Sequence, residues 1–314
     1  MMRVHDWVFG PGFFSSQPVH TALLVGGLVA VVSALVGVFT VIRGQSFAGH
    51  TLTELSTAGG SGALLIGLSP LTGFVAGGIL GSGAMEAIGV RRARGRDLAT
   101  GIVLGAAIGA AALFLYLDTT TGATTGASQQ ILFGSIFVIQ GSTVPYVIAF
   151  AALALVLTAV MYRPLLLSSV SYDIAKARGV PVRLVGVLYM LALAPAVGLS
   201  SLAIGTILST ALLIGPPAIA LRLTKRMGLA LLFATSIGVV ATWLGILLAY
   251  DSYYWGTAHN GWPVSFFIVA VIFVSYLASG VRGIRIARRN EDVSVPRLAV
   301  LAAEEPRLPL EEKS

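Results

Sequence analysis

Along most of the chain, apolar residues come in unbroken runs near 20 residues long, without the alternation of a half-buried strand or the every-third-or-fourth rhythm of a surface helix. One run of that length lets a helix cross the hydrocarbon core of a bilayer. The runs predict spans at 20–42, 47–68, 70–90, 98–117, 144–162, 182–199, 201–222, 228–250 and 262–281. A further apolar stretch, 128–141, is too short to cross and is read as re-entrant. Such a segment is tolerable only where other helices bury its free backbone groups. The expected fold class is all-α: a polytopic transmembrane bundle of about nine spans plus one short re-entrant segment. Residues 1–19 form an extracytoplasmic lead-in, 20–282 the membrane domain, and 283–314 a cytoplasmic tail. The tail is charged and holds Pro296, Pro306 and Pro309, so it is expected to be disordered. Residues 1–19 show no cleavable signal pattern.

Composition agrees with lipid as the solvent. Hydrophobic residues make up 56% of the chain, charged residues 11%, and the mean hydropathy is +0.90. A water-soluble domain carries about 25% charged residues. Cysteine is absent, which excludes disulfides and thiolate metal sites. The basic residues sit in short connections between apolar runs, so they report orientation in the membrane and not nucleic-acid binding. Arg43, Arg91, Arg163, Lys176, Lys225 and Arg282 all fall on one side if there are nine spans and 128–141 turns back. The expected orientation puts the N-terminus outside and the C-terminus in the cytoplasm. Gly73, Gly77 and Gly81 recur every fourth residue, as do Gly101, Gly105 and Gly109, and predict close helix packing. Pro195, Pro216 and Pro217 predict kinks.

Chemistry is sparse. Neither the GxxxxGK[ST] loop that cradles nucleotide phosphates nor an HExxH zinc motif is present. What remains is SFAGHTLTELSTAGG at 46–60. His50 and Glu54 stand four residues apart, on one helix face. A carboxylate at membrane depth costs about 2.5–3.5 kcal/mol on insertion scales, so it is a functional candidate by default. Imidazole and carboxylate together ligate zinc or manganese. The plainer reading is a His–Glu hydrogen bond. Glu86 reads as an inner salt bridge, Asp118 as part of an outer loop that is solvated or lines a vestibule, and His259 as part of an aromatic interfacial loop. His5 and His20 lie near the outer face. The inner connector SYDIAKARGVPVRL reads as a short helix stopped by Gly179 and Pro181.

Three stretches together resemble permease subunits of metal-ion ATP-binding-cassette importers, the zinc and manganese group. DIAKARGVPV is similar to that family's inner loop, with Asp173, Ala177 and Gly179 at the matching positions. SLAIGTILSTALLIGPPAIALRL resembles its late span, and ALVGVFTVIRGQSFAGHTLTELSTAGGSGA its first two helices. The family has Asp and then His where this chain has His50 and then Glu54, in inverted order. SFAGH resembles a branch of zinc-importer permeases, which puts zinc ahead of manganese as cargo. The resemblance implies a homodimeric permease, not an enzyme, in the cytoplasmic membrane of a prokaryote. It implies a cytoplasmic ATPase subunit docking at Asp173, Ala177 and Gly179, and an extracytoplasmic metal-binding protein. The metal is then a transported ion, held by His50 and Glu54, and no cofactor is permanently bound. Membrane lipid is the surrounding partner and nucleic acid is none. Two rivals are a proton-coupled carrier working through Glu54 and Glu86, and a membrane-embedded hydrolase using His50 and Glu54.

Overall fold

The computed structural model describes residues 12–88, 96–121, 126–134, 136–255 and 261–280. Expectations on His5, on the Glu86 side chain, on His259 and on the charged tail fall outside the described residues. Within them the chain is helical, with no strand. The helices are α1 Gln17–Ile42, α2 Ser46–Leu65, α3 Pro70–Ile88, α4 Arg96–Thr121, α5 Ala127–Phe133, α6 Val144–Val160, α7 Tyr162–Val170, α8 Tyr172–Ala177, α9 Val182–Ile204, α10 Thr206–Leu223, α11 Met227–Ser252 and α12 Val264–Gly280. Every expected span has a helix at its place. By length and hydropathy six suffice to cross a bilayer: α1, α4, α6 with the turn before it, α9, α10 and α11. α3 and α12 are apolar but shorter, and α2 is diluted by its hydroxyl and ionisable side chains.

Burial sorts centre from rim. The apolar stretch of α9 is 78% buried and that of α1 72%, against 28% for α4 and 22% for α6. α9 is the hub, packed against α1, α2, α3, α6 and α10. Polar pairs pin it to α1: Ser33 Oγ to Ser200 Oγ at 2.6 Å, and Thr40 Oγ1 to the Tyr189 hydroxyl at 2.5 Å. Both are fully enclosed, where a satisfied pair fixes register and an unsatisfied one is costly. On the rim, Arg222 of α10 bonds the Tyr276 hydroxyl of α12 and lies 3.8 Å over that ring.

The α9–α10 turn does not reach as far as α1 does. Ile204 lies four residues past Ser200, hence ~6 Å further, level with the middle of α1. From there α1 continues to Gln17, ~20 Å of helix. The space above the turn is filled by α5 and the 3-10 turns Ile136–Val138 and Gly141–Thr143. Ile131 packs on Phe74 and Leu115, and Ile136 sits over Gly26 of α1. The contact between the two segments is backbone on backbone. A methyl on Gly134 would lie 2.5 Å from the Gly205 amide nitrogen, and one on Gly205 would lie 2.5 Å from the Gly134 nitrogen. Both glycines take positive φ with extended ψ, 82° and 170° at Gly134 and 81° and 163° at Gly205, a region closed to other residues.

Two expectations change. The break between the sixth and seventh long helices falls at Gly205, not at residue 200, because only a glycine can take that conformation. Pro195 lies inside α9, and Pro216 and Pro217 lie inside α10. The two glycine stripes also differ in kind. Gly73 and Gly77 on α3 meet the α2 backbone at Gly59, while a methyl added to Gly101, Gly105 or Gly109 on α4 would find nothing among the described residues within 4 Å. The same spacing thus marks a helix contact in one place and an open face in the other.

A methyl at Gly77 would sit 2.7 Å from the Leu55 carbonyl oxygen and 2.8 Å from Gly59 Cα. Gly77→Ala is therefore expected to destabilise by about 1–3 kcal/mol. Gly105→Ala is expected to be neutral or to stabilise by up to about 1 kcal/mol. Thermal midpoints of the two purified variants in one detergent check the contrast; equal midpoints would mean that the α2–α3 contact is looser than described.

Candidate functional site

α2 carries eight polar side chains in 20 residues, and most of them have a partner. Thr51, Thr53, Thr57 and Ser61 each donate to the carbonyl four residues back, at 3.1, 3.1, 2.8 and 2.6 Å. These hydroxyls are buried, as are Ala48, Gly49, Leu52 and Gly60. The opposite stripe stays open: Phe47 is exposed, and His50, Glu54 and Ala58 are partly so. A helix that covers one face and leaves the other open presents its two ionisable groups on the open side.

His50 and Glu54 are separated by ~6 Å along the axis. His50 Nδ1 lies 3.0 Å from Thr210 Oγ1 on α10. Glu54 has no hydrogen bond or ion pair among the described residues. The His–Glu hydrogen bond that the bare sequence allowed is thus not what His50 makes. The open stripe of α2 meets a similar one on α10, where Ile207 is exposed and Thr210, Ala211 and Ile214 are partly so. Gly49 packs against Leu213 and Thr40, which keeps the two helices in register beside the pair. Among the described residues no three His, Cys, Asp or Glu side chains come together. One copy therefore offers an ion one imidazole and one carboxylate, both on an open surface.

The connector SYDIAKARGVPVRL folds as expected. Ser171 caps α8, its Oγ accepting the Ile174 amide at 3.4 Å, and Asp173 lies in the first turn. The stop is a two-bond glycine cap, with Gly179 N–H on the Lys176 carbonyl and Val180 N–H on the Ala175 carbonyl, both at 3.0 Å. Gly179 has φ +75°, which an L side chain adopts only under strain. Asp173, Ala177 and Gly179 are all exposed, while Ala175 is buried against the body. Tyr172 and Ile174 are exposed at 60% and 53%, an apolar pair left uncovered among the described residues.

Two residues do more than the sequence signals. Arg43, an orientation charge by its position in the chain, bonds Ser168 Oγ of α7 at 3.1 Å and Gln45 Oε1 at 3.2 Å. Its guanidinium also lies 5.4 Å over the Tyr189 ring of α9. It joins the end of α1, the connector and the hub helix. Thr210 carries no signal, since a threonine in an apolar helix is ordinary. Elsewhere, His20 Nε2 sits 2.6 Å from the Phe14 carbonyl, so it closes the lead-in turn. Asp118 is fully buried, and the solvated outer acid expected from the sequence is corrected accordingly. Trp255, Trp262, Phe266 and Phe267 form an aromatic cluster beside the described edge of the loop holding His259.

Residues 15–279 match the family described as the ABC 3 transport family. The manganese transport system membrane protein MntC of Halalkalibacterium halodurans is 30% identical over 225 residues, covering 72% of this chain and 76% of the relative. The chelated iron transport system membrane protein YfeC of Yersinia pestis is 27% identical over 286 residues, covering 88% and 93%. Among solved structures, PsaBC from Streptococcus pneumoniae in complex with Fab shares the fold with a TM-score of 0.74 at 24% identity, covering 88% of this chain and 95% of that one.

Arg43→Ala removes the contacts that hold α7 to α1 and α9. Trypsin is then expected to cut after Lys176 and Arg178 several-fold faster than in the unaltered protein, in the same membranes. An unchanged cleavage rate would show that the connector is held by other contacts.

Proposed function

The chain belongs to the ABC 3 transport family, and from that premise we propose that it is the permease of an importer that carries divalent transition-metal ions into the cell. The observation that carries this reading is the pair His50 and Glu54 on the open stripe of α2, with Glu54 unpaired among the described residues. Two nitrogen and oxygen donors from one chain are too few for an ion. The same pair from a second copy, facing it across a two-fold axis, brings four donors, the number a tetrahedral site uses. A set without thiolates binds such ions loosely enough to release them.

The imidazole and carboxylate donors accept manganese as well as zinc. Relatives named for manganese and for chelated iron move manganese ahead of zinc, reversing the order that SFAGH suggests. In this reading all nine long helices cross the membrane, α2, α3 and α12 included, because they are sheltered by the longer helices around them. The N-terminus lies outside and α8 faces the cytoplasm. An ATPase subunit docks on α8, receiving Tyr172 and Ile174 into an apolar groove, and its ATP hydrolysis drives the cycle. An extracytoplasmic metal-binding protein delivers the ion at the outer face. The hydrolase rival finds no three-ligand group among the described residues.

Three variants test the reading. His50→Ala and Glu54→Gln are each expected to abolish uptake of Mn2+ at limiting external metal, while dimer assembly and ATPase binding survive. Glu54→Gln is the sharper, since it keeps shape and removes charge; normal accumulation in that variant sinks the metal site. Gly179→Val is expected to leave the chain inserted but to uncouple ATP hydrolysis from uptake. Unchanged uptake would reduce the connector to a linker. The purified chain alone is expected to hydrolyse no ATP, and turnover by it would overturn the division of labour between subunits.

A further inference from the structure

Threonine hydroxyls inside these helices have a habitual partner, the backbone carbonyl one turn back. Thr40, Thr51, Thr53, Thr57, Thr158, Thr235 and Thr242 all donate to the carbonyl four residues earlier. This is the usual way for a hydroxyl to be tolerated in an apolar helix. Thr210, in the second turn of α10, makes no such bond; its Oγ1 is 3.0 Å from His50 Nδ1 on another helix.

We propose that Thr210 is the positioning residue for His50, fixing which ring nitrogen faces the transported ion; this rests on the reading of His50 as an ion ligand. A neutral imidazole has one protonated nitrogen and one bare nitrogen, and only the bare one binds a metal. In this proposal Thr210 Oγ1 accepts the hydrogen of Nδ1, one of the two directions that the 3.0 Å contact allows, and so leaves Nε2 as the ligand atom. The same contact sets the plane of the ring. A hydrogen-bond acceptor behind a ligating histidine is commonly worth about 10–100-fold in metal affinity.

The support is rigid. Gly37 of α1 fits against the Leu213 backbone and Pro217, and Gly49 of α2 against the Leu213 side chain. Thr210 lies one turn before Leu213, so its backbone keeps its place beside His50 unless α10 shifts as a body. Ion affinity is thereby tied to the placement of α10 relative to α2. A displacement of α10 that lengthens the 3.0 Å contact frees the ring to turn and weakens the site.

The test is initial-rate Mn2+ uptake against external Mn2+ concentration, in cells carrying the full importer, with permease levels in the membrane measured alongside. Thr210→Val keeps the shape and removes the acceptor. Its half-saturating Mn2+ is expected to rise about 10–100-fold, with a much smaller change in maximal rate. Thr210→Ser restores the hydroxyl and is expected to stay within about 3-fold of the unaltered protein, a small part of that range. If Thr210→Val fails to insert, Thr210→Ala carries the same comparison. An unchanged half-saturation in Thr210→Val overturns the proposal. So does a Thr210→Ser variant as impaired as Thr210→Val, because the loss would then follow packing and not the hydroxyl. His50→Ala is measured in parallel: if it transports normally, the ion-site reading itself falls, whereas loss in His50→Ala with normal Thr210→Val overturns only the role of Thr210.

Discussion

The contact between the backbones of Gly134 and Gly205 governs how this bundle closes. A segment inside a membrane has to satisfy its peptide groups within the protein. The α9–α10 turn ends well short of the reach of α1, and the segment containing α5 comes down to meet it. Each glycine occupies the place where the other would carry a side chain. The consequence runs on along α10. Gly205 ends α9 and begins α10, so it sets the rotation of every later residue on that helix. Thr210 faces His50 because the helix starts where it does. The glycine contact and the candidate ion site are thus five residues apart on one rigid element.

α9 makes the corresponding link toward the other end. It is buried along most of its length and bonded to α1 at Ser200 and Tyr189. Tyr189 lies under Arg43, and Arg43 reaches the connector that carries α8. A single helix therefore touches both the glycine contact and the segment proposed to meet the ATPase. Glycines of positive φ bracket this helix, Gly179 three residues before it and Gly205 at its end.

Much of this was legible in the residues because the membrane imposes so few choices. Each apolar run became a helix, 128–141 became a short folded-in segment, and SYDIAKARG became a capped helix with its glycine stop. His50 and Glu54 stood out because ionisable groups in such a run are costly. What was not legible depended on partners far apart in the chain. The Gly134–Gly205 contact, the Thr210–His50 bond and the Arg43–Tyr189 stack join residues that no local pattern connects. The glycine stripes show the same limit. Periodicity told that α3 and α4 each have a slim face, but not that α2 covers one and no described residue covers the other.

The hydroxyls of α2 bear on which substitutions the helix tolerates. Thr51, Thr53, Thr57 and Ser61 sit on its buried face, and each donates its proton to its own backbone. The open stripe with His50 and Glu54 lies on the other side of the same helix. A residue altered on the packed side therefore acts through helix contacts, and one altered on the open side acts without disturbing them.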